Sequence, residues 1–163
     1  MINVSKFSFL SFDNKKFKCS IGKNGLTNNK MEGDLKTPMG KFKFIKCYYR
    51  SDRIKKPQTK LPCKKITKDI GWCDDSNSKY YNKEVKVSKK FSLEKLYRQD
   101  HVYDILIVLN YNSKPIIKGK GSAIFFHISK KNYTPTKGCV AVSRKLLLEI
   151  LKKVKKNSII KIG

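Results

Sequence analysis

The sequence predicts a mainly β domain with one or two short helices. Three observations carry this. Apolar residues recur at every second position through much of the first half, the two most apolar runs are short and β-branched, and only one segment shows sustained helical spacing. At 163 residues with 39% hydrophobic content, the chain has the size and composition of one self-sufficient unit, residues 1–163, with a buried core.

Val4 to Phe12 reads as a strand and is followed by the turn pair Asp13-Asn14. Phe17, Cys19 and Ile21 then alternate, which predicts a hairpin. After Gly22-Lys-Asn-Gly25 a polar stretch leads to Thr37-Pro38-Met-Gly40, where Pro-x-Gly ends a loop and launches the alternating Lys41-Phe42-Lys43-Phe44. From Tyr49 to Asn82 the chain is polar and aperiodic, with Pro57 and Pro62, so a long functional loop is expected, a lid or a substrate platform. Ser92–Asp100 is compatible with a short helix. Val102–Asn110 and Ala123–Ile128 read as buried strands and Val140–Val142 as a brief one. Ser143 is positioned to cap a helix whose apolar residues Leu146, Leu147, Ile150, Leu151 and Val154 share one face. Asn157 ends that helix and Ser158–Ile162 forms a last strand.

The chain carries 38 Lys+Arg against 12 Asp+Glu, a formal charge of +26. Such a field attracts polyanions. The lysines are nevertheless spread through nearly every segment rather than gathered on one arm or helix, and no zinc-finger pattern or RNP-type aromatic motif accompanies them. The composition thus reads as a solvated surface, with no specific nucleic-acid partner. No apolar run is long enough to span a bilayer, and no signal peptide is visible at Met1–Leu10. The sequence does not indicate an oligomeric state.

Five cysteines, an odd number without a C-x-x-C pair, argue against a disulfide framework. Cys63 and Cys73 with His101 or His127 lack the spacing of a zinc site, so no metal is expected. Cys19 and Cys47 fit as small buried hydrophobes, and Cys73 stays undecided. Cys139 alone has a chemical context. His127 lies at the end of the run Gly121-Ser-Ala-Ile-Phe-Phe-His127-Ile-Ser129, and Cys139 lies in Thr136-Lys137-Gly138-Cys139-Val-Ala-Val-Ser143. A thiol needs a base to become a nucleophile, and an imidazole on an adjacent strand supplies one. Cys139 is therefore the candidate nucleophile and His127 its base, either by taking the proton directly or within a thiolate–imidazolium pair that Lys137 and the positive field would favour. The amide of Cys139, with Gly138, is the candidate oxyanion hole. His101, beside Asp100, reads as structural, and Glu32 and Asp34 as loop-structuring acids.

The run from His127 through Thr136-x-Gly138-Cys139-Val140 resembles the signature of the L,D-transpeptidase catalytic domain of the YkuD type. Glu32-Gly33-Asp34 and Thr37-Pro38-Met-Gly40-Lys-Phe42 resemble further blocks of that family. Gly71-Trp72-Cys73-Asp74-Asp75, Tyr81-Asn82, Tyr103-Asp104 and Gly121-Ser122-Ala123-Ile124 resemble its branch made of a lone catalytic domain. The resemblance spans essentially the whole chain. It departs where many members place an arginine two residues after the cysteine, here Ala141, and a small residue after the histidine, here Ile128.

The resemblance implies a β-sandwich or open barrel and a cysteine acyltransferase acting on peptidoglycan stem peptides. Cys139 would attack the diamino acid at stem position three, expel D-alanine and pass the acyl group to the amine of another stem. L,D-carboxypeptidase or other cysteine amide hydrolysis is the alternative. The resemblance also implies carbapenem acylation, no cofactor, and a cell-envelope or periplasmic location. Trp72, Tyr103, Thr136 and Lys137 are the expected substrate contacts. Ser129, or a backbone carbonyl, is expected to orient His127.

Overall fold

The computed structural model describes residues 1–163. The first strand expected from the sequence is two. β1 (Ile2–Val4) and β2 (Phe9–Phe12) are joined by a tight turn in which the Ser5 N–H donates to the Phe9 carbonyl and Ser8 adopts φ 60°. Asp13 and Asn14, at φ 50° and 58°, then turn the chain into β3 (Lys15–Lys18). Positive φ at both turn residues matches the right-handed twist of the flanking strands, and Asp and Asn tolerate it better than most residues.

After β4 (Leu26–Thr27) and β5 (Thr37–Pro38), which pair in parallel, comes β6 (Gly40–Tyr49), the longest strand. The Tyr49–Asn82 stretch is not the open loop its composition suggests. It contains β7 (Cys63–Lys65) and β8 (Ile70–Cys73), the latter pairing with β9 (Glu84–Lys86) and β10 (Leu93–Lys95). Nor is Ser92–Asp100 a helix: β10 lies within it, because backbone pairing to β8 and burial of Leu96 outweigh local propensity. β11 (Ile105–Leu109), β12 (Phe125–Ile128) and β13 (Val140–Val142) follow. The helix α1 (Arg144–Lys153) and β14 (Ile159–Ile162) complete the chain.

The main sheet runs β13-β12-β11-β6-β14-β1-β2-β3, with β7 beside β6. Beyond β3 the chain crosses to the opposite edge, where Ser20 and Ala141 exchange backbone hydrogen bonds of 2.7 and 2.9 Å. The sheet thereby nearly closes into a barrel, within the mainly β class that the alternation predicts. β1 and β14 pair in parallel, Ile2 opposite Ile160, so the two ends of the chain are neighbours at its centre.

Alternate residues of β11, β12 and β13 face two different cores. Ile105, Ile107, Phe126, Ile128, Val140 and Val142 point into the barrel, where they meet the buried face of α1. The Ser143 hydroxyl accepts from the Leu146 N–H at 3.2 Å and caps α1, whose Leu147, Ile150 and Leu151 are fully buried. The helix stops at Lys153 rather than at Asn157; Val154 is already extended, and its side chain stays in the core. Leu106, Val108, Phe125 and Cys139 face the other way, toward a smaller core closed by Ile70 of β8 and by Leu96 and Tyr103. No helix is long and apolar enough to cross a membrane.

Candidate active site

β12 and β13 run parallel, with His127 opposite Ala141. The histidine and cysteine are therefore carried by neighbouring parallel strands. The loop after Ile128 returns the chain to the start of β12 before β13 begins, and this places Cys139 two positions before Ala141. Side chains alternate along a strand, so Cys139, Ala141 and His127 emerge on one face. Both Cys139 and His127 line a single cleft of about 450 Å³, although only 8% and 7% of their surfaces are exposed.

The thiol donates to the Ala123 carbonyl at 3.2 Å and receives the Phe125 N–H at 3.3 Å. Ala123 holds φ 51°, a conformation that costs a non-glycine residue of order 1 kcal/mol. Its amide is anchored by Asn82 Oδ1 at 3.1 Å, which also accepts the Trp72 indole N–H at 2.8 Å. Asn82 Nδ2 in turn donates to the carbonyls of Tyr111 and Asn112. Asn82 is thus a fully used buried amide that fixes the segment carrying the cysteine's hydrogen-bond acceptor. The sequence places Tyr81-Asn82 within the family resemblance but assigns Asn82 no role, because an asparagine in a polar stretch gives no local sign of its distant partners.

Imidazole Nδ1 of His127 lies 2.8 Å from the Ile128 carbonyl. A carbonyl only accepts, so Nδ1 carries the proton and Nε2 presents a lone pair. Ile128, and not the Ser129 hydroxyl, orients the ring; the Ser129 amide pairs with Val142 instead. Tyr103 packs edge-on against the imidazole, centroids 5.1 Å apart, and Arg98 lies 5.1 Å above the Tyr103 ring.

Burial sets the charge state. It pushes the Cys139 thiol up to about 12, opposed by the Phe125 N–H, and lowers the His127 imidazole to about 4, opposed by the bond to Ile128. Both shifts favour a resting thiol and neutral imidazole over the thiolate–imidazolium pair that the positive field was expected to favour. Lys137 is exposed and lines the cleft; the cation acting on the thiol is Lys30, buried and paired with Asp34 at 2.5 Å.

Thr136 shapes the cysteine loop. Its hydroxyl donates to the Cys139 carbonyl at 2.6 Å and accepts the Gly138 N–H at 3.1 Å. Gly138 sits at φ 142°, and a Cβ there would approach the Lys36 carbonyl to 2.9 Å. With the Gly138 amide occupied, the Cys139 amide is the one of the two that donates to nothing in the chain. Trp72 is not on the cleft wall. Its ring packs edge-on against Phe125, centroids 5.4 Å apart, beneath the site.

The other expected residues lie apart. His101 is exposed and bound to buried Asp104, which also pairs with Arg53. All five cysteines are free, with Cys19, Cys47 and Cys73 fully or almost fully buried. Asp34 structures its loop through Lys30, Met31 and Lys36, as its position suggested.

A search of curated proteins gives no match. The family described as L,D-transpeptidase catalytic domain, YkuD, matches residues 1–162, essentially the full length. The nearly closed β sheet, the cleft shared by Cys139 and His127 and this match agree, and the chain belongs to the YkuD family of L,D-transpeptidase catalytic domains.

Proposed function

We propose that this chain is a cysteine acyltransferase acting on peptidoglycan stem peptides, with Cys139 as nucleophile and His127 as general base. The observation that carries the reading is the shared cleft, in which a neutral thiol and an imidazole with a free Nε2 lone pair emerge on one sheet face. In the resting state the thiol proton is held by the Ala123 carbonyl. A bound substrate draws the thiol from that acceptor toward His127, a tightening common when apo sites close on substrate.

As Sγ attacks the carbonyl of the third stem residue, the thiol proton passes to Nε2 and a C–S bond forms. The unengaged Cys139 amide receives the developing oxyanion. Collapse breaks the C–N bond, and the imidazolium protonates the departing amine of D-alanine, leaving a thioester. An amine of a second stem then attacks, C–N forms, C–S breaks and the proton returns through His127 to sulfur. Water in place of the amine gives the carboxypeptidase product.

Incubation with disaccharide-tetrapeptides, read by mass spectrometry, should give loss of D-alanine and dimers joined through third residues. Cys139→Ala should abolish both products while keeping the wild-type melting transition. A carbapenem should add its mass to Cys139. Unchanged turnover by Cys139→Ala would eliminate the proposal.

A further inference from the structure

Two residues that line the cleft with Cys139 each carry a polar atom with no partner. One carboxylate oxygen of Asp74 and the hydroxyl of Ser122 are both shielded from solvent and hydrogen-bonded to nothing, and Ser122 as a whole is 7% exposed. Leaving such groups unpaired costs about 1–3 kcal/mol each, more for a charged one. The two residues are held near each other by the same asparagine. The Asn82 N–H donates to the carbonyl of Cys73, the residue before Asp74, at 2.9 Å, while Asn82 Oδ1 receives the amide of Ala123, the residue after Ser122.

Charge points the same way. The chain has only 12 acids, yet Glu32, Asp74 and Glu94 all line this one cleft, beside four basic residues of which Lys30 and Arg98 are held in ion pairs while Lys130 and Lys137 stand at its rim. Glu94 is paired with Arg98, whereas Glu32 is approached only by the Tyr81 hydroxyl, at 2.5 Å on Oε2, and its second oxygen remains available. A net +26 protein repels cations, so local acids are what would let a positively charged group enter. An ammonium has three donors and no acceptor, and it matches a carboxylate, a hydroxyl and a second carboxylate. No group of three or more His, Cys, Asp or Glu side chains is placed to hold a metal ion, which makes an organic cation the better fit.

We propose that Asp74 and Ser122, with Glu32 alongside, form a subsite for an aliphatic primary ammonium group of the substrate, next to Cys139. The inference rests on the acyl-transfer reading for its substrate: the side-chain amine of a diamino acid supplies the ammonium. The subsite selects stems whose amine is free and rejects those in which it is already amidated.

The test uses a disaccharide-tetrapeptide with a diamino acid at position three, and the same compound acetylated on that amine. Equilibrium binding is measured to the full chain carrying Cys139→Ala, so that nothing turns over. The free-amine form should bind at least about tenfold tighter, as expected for a charge-assisted hydrogen bond. Adding Asp74→Asn, which keeps shape and removes charge, should bring the ratio close to one without weakening the acetylated form. Ser122→Ala should lower the ratio by a smaller factor. Equal binding of the two compounds, binding of neither, or an unchanged ratio in Asp74→Asn would overturn the subsite. D-alanine release by the unmodified protein is scored separately. Release with a ratio of one removes the subsite and keeps the acyl-transfer reading; selective binding without release does the reverse.

Discussion

The charge state of Cys139 can be read directly from the pH dependence of its alkylation. Burial moves the thiol from 9.0 to about 12, which lowers the thiolate fraction at neutral pH by about a thousandfold. Nucleophilicity rises with basicity at a Brønsted slope of about 0.4–0.5, which restores roughly a factor of twenty. The net expectation is alkylation on the order of fiftyfold slower than an ordinary thiol, before any loss of access through burial. Because access affects only the absolute rate, the slope is decisive. Iodoacetamide labelling of Cys139, followed by peptide mass mapping between pH 6 and 10, should rise close to tenfold per pH unit with no plateau. A plateau at or below pH 7 would show a resting thiolate–imidazolium pair and refute the argument that desolvation sets the site's charge.

His127 gives a second pH signature. Its folded value of about 4 lies below the ordinary 6.5, so the contribution is complete above pH 6.5 and is lost as pH falls toward 4. Urea denaturation should show the wild type losing about 3 kcal/mol relative to His127→Asn across that window; parallel pH profiles would contradict this. Gly138→Ala should cost about 2–3 kcal/mol and abolish turnover, since it combines φ 142° with an approach of 2.9 Å to the Lys36 carbonyl; a melting temperature within a degree of wild type would count against it. Ser143→Ala should cost about 1 kcal/mol through loss of the cap of α1, while Leu147→Ala should cost about 2–5 kcal/mol through a cavity in the barrel core. Chemical denaturation would rank the two, and a reversed order would undercut the assignment of α1 as a core element.

Legibility in the sequence followed the range of the interactions. The Asp13-Asn14 turn, the Ser143 cap and the short apolar runs of β11 and β12 are local patterns, and each reappears in the structure. The β8–β10 sheet was hidden because its strands are short and their partners are residues distant in sequence; Trp72 and Glu94 pair only in three dimensions. For the site, the chemistry of a cysteine and a histidine was readable, but their geometry was not. Nothing local announces that β12 and β13 run parallel, or that Ile128 rather than Ser129 orients the ring. Burial is a property of the packed state, so the field of surface lysines was overvalued against desolvation. Trp72 was misplaced for a related reason, since an aromatic in a polar stretch gives no sign that Phe125 lies behind it.

The parallel pairing of Ile2–Val4 with Ile160–Ile162 bears on how the protein is made. The Ile2–Ile160 contact closes a very long loop, and it sits in mid-sheet, where β14 also pairs with β6. The two halves of the sheet can join only once β14 has emerged from the ribosome. Until then β1 and β6 each lack a neighbour and expose unpaired backbone. Folding should therefore wait for β14 and be slow, and loss of β14 should leave an aggregating polypeptide instead of a smaller folded protein.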